Sequence, residues 1–161
     1  MKKLLMVITL LFVAKSANAQ EQYVELLRSD LKAQKVAIVT QGMALQEGQS
    51  EQFWKIYRDY DYELASLTDR RIALIKDYAA NFSTMTDAKA DEIATAAMKL
   101  DKDRLALREK YYKTYAKEMS PVLATRWAQL ERVIATVFDL QIASELPLIQ
   151  EGWETPPPSG N

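Results

Sequence analysis

The side chains that could do chemistry in this chain are its carboxylates, arginines and tyrosines, because its 161 residues include no His and no Cys. Those two absences exclude a thiolate nucleophile, a His general base and the His- or Cys-ligated sites typical of zinc. Carboxylates at i,i+2 spacing point to different faces of a helix. We therefore expect solvated surface carboxylates and a protein that is not an enzyme and holds no metal or cofactor. Of the three carboxylate pairs considered, Asp59/Asp61 and Asp101/Asp103 have this i,i+2 spacing, whereas Asp87/Asp91 are four residues apart.

Tyrosine and arginine offer a different chemistry, the binding of other proteins. The eight tyrosines fit either a core whose hydroxyls reach water or an adaptable binding surface. Arg71 and Arg104 fall at heptad positions where apolar residues are expected. Their guanidinium groups either reach water or pair with Glu63 or Asp101, or else they line a face for acidic or unfolded proteins. On the binding interpretation, the candidate client-binding residues are Arg71, Arg104, Arg108, Tyr57, Tyr60 and Tyr111.

The elements that must position these side chains are predicted to be helices. Between Gly48 and Gly152 the chain has no Gly and only two Pro, and residues that favour helix are abundant. No sustained alternation of apolar and polar residues indicates a strand. The sequence predicts an all-α protein of about four helices: a shorter N-terminal helix over about 21–34, one beginning near 46–50, one from a cap at Thr86 to about Glu118, and one from Ser120-Pro121 to Pro147. Residues 35–43 are predicted as either helix or extended connector.

Heptad spacing in the second and third helices predicts a long antiparallel hairpin. A turn at residues 83–84 would place Phe53 near Tyr115 and Tyr57 near Tyr111, so aromatic rings should gather at the open end. The fourth helix has such a wide apolar stripe that we expect it to be largely buried. That stripe consists of Leu123, Trp127, Leu130, Val133, Ile134, Val137 and Leu140.

The N-terminus has the pattern of a secretory signal peptide over residues 1–19. Lys2-Lys3 precede an apolar stretch too short to span a bilayer, and Ala17-Asn18-Ala19 is a cleavage motif. We expect cleavage after Ala19, a periplasmic or secreted protein without stable membrane insertion, a single helical domain over 20–149 and an extended Pro-rich tail over 150–161. Cleavage would change the formal net charge from −1 to −4 by removing three lysines, which disfavours nucleic acid as a partner.

Several segments resemble a group of uncharacterised bacterial secreted helical proteins, namely residues 43–60 (MALQEGQSEQFWKIYRDY), 69–79, 106–115, 120–131 and 139–149. More distantly, the chain resembles the Spy/CpxP family of periplasmic proteins, whose marker Leu-Thr-x-x-Gln stands at helix starts. Leu45 and Gln49 keep the first and last marker positions, and Gln46 replaces the Thr. The resemblance implies a Spy-like four-helix hairpin forming a dimeric, curved cradle. Metal-sensing relatives use His and Met ligands, and this chain has no His.

These observations together predict an exported protein that binds proteins. The resemblance implies an ATP-independent chaperone or an envelope-stress adaptor, with unfolded or envelope proteins as partners and a homodimer as the assembly. The alternative is a structural or regulatory partner of one specific envelope protein, also without catalysis.

Overall fold

A computed structural model gives the architecture, and it describes residues 34–149. Regular structure within this range is helical, with no strand, so the predicted all-α class is confirmed. The helices are α1 over residues 34–43, α2 over Ser50–Asn81, α3 over Asp87–Glu118 and α4 over Pro121–Glu145, with a short 3-10 turn over Phe82–Thr84 between α2 and α3.

The chain divides into two compact units, and their boundary lies between Ala44 and Leu45. In the first unit, residues 34–43 are helical, so the helical alternative for 35–43 is correct. The second unit contains α2, α3 and α4. The predicted signal peptide over 1–19, nearly all of the predicted first helix and the tail over 150–161 lie outside the described residues. The single domain expected over 20–149 therefore stays a prediction.

A tight turn precedes α2. Gly48 has φ +85°, a backbone conformation that costs a glycine little because it has no Cβ. The side-chain oxygen of Gln49 accepts a hydrogen bond from the backbone N–H of Gln46 at 2.9 Å, and the Gln49 N–H donates back to the Gln46 carbonyl at 3.1 Å. Gln49 thus closes the turn from which the helix begins at Ser50.

Side-chain caps set the starts of α3 and α4, as the sequence predicts. The Thr86 hydroxyl accepts from the backbone N–H of Lys89, and the Ser120 hydroxyl accepts from that of Leu123, both at 3.2 Å. Pro121 occupies the first turn of α4, where the missing N–H is not needed. The helix ends at Glu145, shortly before Pro147. These two caps confirm the predicted starts of α3 and α4.

Helices α2 and α3 form the predicted hairpin. Three ion pairs join them along its length: Glu63–Lys110 at 2.6 Å, Arg70–Asp103 at 2.8 Å and Asp77–Lys89 at 2.8 Å. Burial is concentrated at the open end, where α4 also packs. Towards the turn, the predicted seam on α2 is only half-buried. The buried side chains of this unit are Phe53, Ile56, Tyr57, Tyr60, Ile93, Leu100, Leu107, Tyr111, Tyr115, Leu123, Ala124, Trp127, Glu131 and Ile134.

Candidate functional site

Aromatic rings fill the open end of the hairpin, as predicted. Phe53 packs on Tyr115 with ring centroids 5.2 Å apart, and Trp127 of α4 lies 4.8 Å from Tyr115 and 5.0 Å from Tyr60. Tyr111 contacts the ring of Tyr60 at 5.3 Å, whereas the sequence placed Tyr57 opposite it. Edge-to-face and offset contacts of this kind are the favourable geometries for aromatic rings. The cluster joins all three helices of the unit.

A buried carboxylate sits within this aromatic cluster. Glu131 is only 4% exposed and accepts hydrogen bonds from the Tyr60 hydroxyl at 2.8 Å and the Tyr57 hydroxyl at 3.4 Å. Burial raises the pKa of both tyrosines well above the usual value, and the neighbouring negative charge of Glu131 raises it further. The two phenols therefore remain protonated donors. This arrangement fixes α4 on α2 but gives a dissolved substrate no access to the carboxylate.

Tyr111 belongs to a neighbouring polar group at the rim. Its hydroxyl donates to Glu63 at 2.8 Å, and the ammonium of Lys110 lies 2.6 Å from the same carboxylate. The hydrogen bond from Lys110, followed by that from Tyr111, holds the pKa of Glu63 below its usual value. Since the side chains of Tyr57, Tyr60 and Tyr111 are all buried, these three candidate binding residues lie inside the unit and not on its surface.

The three candidate arginines lie near one another where α4 passes the hairpin. Arg71 of α2 and Arg104 of α3 both bind one oxygen of Asp139 on α4, at 2.5 Å and 3.3 Å. Their acid partner is therefore Asp139 and not Glu63 or Asp101. Arg108 lies one turn beyond Arg104 and is half-buried, with its positive charge near the Tyr60 hydroxyl. No ion pair of Arg108 is found among residues 34–149.

The carboxylate pairs considered for acid–base chemistry lie on the exterior. Asp103 binds Arg70 and Lys99, and these two hydrogen bonds, with that from Arg70 the stronger influence, hold its pKa below the usual value. An acid held in its charged form is a poor proton donor near neutral pH. Across residues 34–149, no three Asp, Glu, His or Cys side chains come together as a metal site would require.

An exposed apolar stripe on α4 is the feature that the sequence reasoning missed. Val133, Val137 and Leu140, spaced i, i+4, i+7, lie on one helix face and are 59%, 58% and 71% exposed. We call these three residues the outer stripe. Val122, three turns earlier on the same face, is 70% exposed. The expectation that α4 is largely buried is therefore wrong.

The signal for this stripe was present in the sequence. Apolar residues on α4 cover two adjacent faces of the helix, and of these only the face with Leu123, Trp127 and Ile134 is buried. A helix that is apolar all round is buried in a large core, but a unit of three helices has too few neighbours to cover every face. The apolar surface of α4 is wider than two neighbouring helices can cover, and this comparison indicates that one face of the helix stays exposed.

A second exposed apolar row runs along α3. Met98, Leu105 and Tyr112 are spaced seven residues apart and are 57%, 51% and 37% exposed. Spacing of seven keeps side chains on one helix face. The unit therefore shows apolar side chains at helical spacing on two of its helices.

Comparisons with protein-family models, with curated proteins and with solved structures found no match to this chain. In the part of the chain described here, no helix is both long enough and apolar enough to cross a membrane.

Proposed function

We propose that this chain is an exported, non-enzymatic protein that binds other proteins through the outer stripe of α4, as an ATP-independent chaperone or an envelope-stress adaptor. The observation that carries the proposal is the exposure of three large aliphatic side chains in successive turns of one helix. Single exposed apolar residues are ordinary, whereas a continuous apolar patch marks an interaction site. Covering these side chains releases water from them and favours association.

The shape and chemistry of the stripe favour an apolar, extended or helical occupant. Valine and leucine carry no hydrogen-bonding group, so the stripe makes no strict demand on a partner's sequence. The outer stripe runs along α4 from Val133 to Leu140, which corresponds to roughly 10 Å at 1.5 Å per residue. Binding by such a surface resembles the laying of an amphipathic helix into an apolar groove. This tolerance supports a chaperone that receives several clients.

Charge near the stripe supports a further contribution from the arginines. Arg71 and Arg104 share the half-exposed carboxylate of Asp139, and the carboxylate of Glu131, which lies near the same arginines, is buried. Three arginines therefore face these two carboxylates, which leaves an excess of one positive charge. Arginine also offers a flat, weakly hydrated surface to a client. We assign client contacts first to Arg108, because no ion pair found among the described residues occupies its half-buried guanidinium. Tyr57, Tyr60 and Tyr111 support the fold in this proposal and do not contact clients.

Export forms part of the proposal because the location of the chain determines which proteins are available to bind it. The pattern of residues 1–19 supports cleavage after Ala19 and a periplasmic or secreted location. The intact mass of protein recovered from the periplasm should therefore correspond to a chain that begins at Gln20. A recovered chain that retains residues 1–19 would contradict both the cleavage and the location.

The proposed activity can be tested by suppression of aggregation. Wild-type protein, without ATP, should reduce light scattering by citrate synthase during its thermal unfolding. The double variant Val133→Asp/Val137→Asp should lose most of this activity, because charge on the stripe opposes burial of an apolar client. The matched control is Ala65→Asp/Ala80→Asp, which adds the same charge to two exposed positions of α2, away from the stripe. All three proteins should keep the same helical circular dichroism.

Two results would contradict the assignment to the stripe: equal activity of the Val133→Asp/Val137→Asp variant, or equal loss in the control. A wild-type protein that fails to suppress aggregation at several-fold molar excess would remove the chaperone function.

A second candidate function is regulation or support of one specific envelope protein. The i, i+4, i+7 spacing of the outer stripe favours it, because this spacing fits the seam between two defined helices. A crosslinking pull-down from the native cell separates the two functions. Many clients in small amounts support the chaperone, and one stoichiometric partner supports the specific regulator.

A further inference from the structure

Burial along α4 is uneven. Its buried side chains, Leu123, Ala124, Trp127, Glu131 and Ile134, all lie in the first fourteen residues or so of the helix. From residue 135 to residue 149 no side chain is buried, and Phe138 and Ile142 are half-buried. Residues 135–145, which we call the distal segment, therefore rest on the hairpin without a core of their own.

Polar contacts hold the distal segment at two places. Asp139 binds Arg71 and Arg104 through one carboxylate oxygen, and the Tyr78 hydroxyl donates to the carbonyl of Pro147 just beyond the helix. Asp139 is 49% exposed, whereas the two arginine side chains are 23% and 18% exposed. Salt and competing anions can therefore reach the carboxylate side of this contact, and exposed ion pairs of this kind are weak.

We propose that Asp139 is a latch: it occupies the arginine pair in the closed state, and an acidic segment of a bound protein takes its place and releases the distal segment. The local charges favour this exchange, because the one carboxylate of Asp139 faces two arginines, with Arg108 one turn away. Release exposes Phe138 and Ile142 on the inner face, while Val137 and Leu140 are already exposed on the outer face. The freed segment then offers apolar side chains on both faces.

The latch regulates the surface proposed above, and only this consequence rests on the proposed function. Opening itself is a property of the helix and is measured without any client activity. Amide hydrogen exchange followed by mass spectrometry on the full chain reports it directly, since exchange requires the helix to open locally. Peptides from residues 135–147 report the distal segment, and peptides from 121–134 serve as the internal reference.

The variant Asp139→Asn removes the latch charge, and Glu145→Gln removes one charge from the same helix at a residue with no ion pair among the described residues. With two exposed ion pairs lost, exchange in the distal segment should rise about fivefold in Asp139→Asn, with the reference peptides and Glu145→Gln unchanged. Raising NaCl to 0.5 M should speed exchange of the wild-type segment and have little effect on Asp139→Asn. An octaglutamate peptide should speed it more than NaCl of equal ionic strength.

Three results would overturn the latch. Exchange in Asp139→Asn at the wild-type rate would show that the ion pairs do not hold the segment. An equal rise in both halves of α4 would show general destabilisation instead of release. An octaglutamate effect no larger than that of matched NaCl would show that acidic groups do not compete for the arginines. If amide exchange follows the expected pattern but the wild-type protein does not suppress aggregation, the result counts against the proposed function alone.

Discussion

Replacing Glu131 by Ala tests the buried contact that fastens α4 to α2. The Tyr60 hydroxyl would lose a charged acceptor at 2.8 Å, and hydrogen bonds to charged groups contribute about 1.5–3 kcal/mol. The contact to Tyr57 at 3.4 Å is longer than the usual O–H···O range and adds less, about 0.5 kcal/mol. Together with the space left by the deleted side chain, we expect a loss of about 3 kcal/mol in the free energy of unfolding.

Urea denaturation followed by circular dichroism at 222 nm measures this loss, and the slope with urea should be unchanged. Glu145→Ala, at an exposed position of the same helix, should stay within about 0.5 kcal/mol of wild type. A double-mutant cycle with Tyr60→Phe isolates the hydrogen bond and should give a coupling of about 2 kcal/mol. A coupling below about 0.5 kcal/mol would refute the reasoning, because the buried carboxylate would then not depend on Tyr60.

Three further predictions follow from the same unit. The pKa values of Tyr57 and Tyr60 are raised in the folded chain, so above pH 10 the unfolded chain loses phenolic protons that the folded chain keeps. The free energy of unfolding should therefore be constant up to about pH 10 and then fall by about 1.4 kcal/mol per pH unit for each such tyrosine. Urea midpoints at pH 9, 10 and 11 measure this fall, and Tyr57→Phe should make it less steep. Trp127→Ala should cost about 3–5 kcal/mol, because the fully buried indole packs on two aromatic rings; a thermal melt close to that of wild type would contradict this. Ser120→Ala should cost about 1 kcal/mol through loss of the cap of α4, whereas Thr125→Ala at an exposed site should cost much less.

Local signals in the sequence predicted the helices well. Thr86 and Ser120 cap helices where polar side chains precede helical runs, and their hydrogen bonds involve only residues a few positions away. The aromatic end of the hairpin was also predictable, because heptad spacing and a short turn fix which ends of two helices meet. The pairing of Tyr111 with Tyr60 instead of Tyr57 was not predictable, since a shift of three residues, about one helical turn, depends on how the rings pack.

Contacts between distant parts of the chain were harder to predict. Glu131 lies 71 residues from Tyr60 along the chain, and a glutamate in a helix is normally predicted to face solvent. Asp139 lies 68 residues from Arg71 along the chain. The sequence of the hairpin alone therefore favours Glu63 or Asp101 as the partner of Arg71. The apolar residues of the outer stripe fit a buried core equally well in the sequence, because composition shows how apolar a helix is and not how many neighbours cover it.

The central claim, that the outer stripe binds other proteins, is tested most directly by site-specific photo-crosslinking in the native cell. A photoreactive amino acid at Val137 reports the stripe, and the same group at Lys76, an exposed position of α2, is the control. We predict protein adducts at Val137 that are absent or much weaker at Lys76. No adducts at Val137 beyond those at Lys76 would contradict the claim.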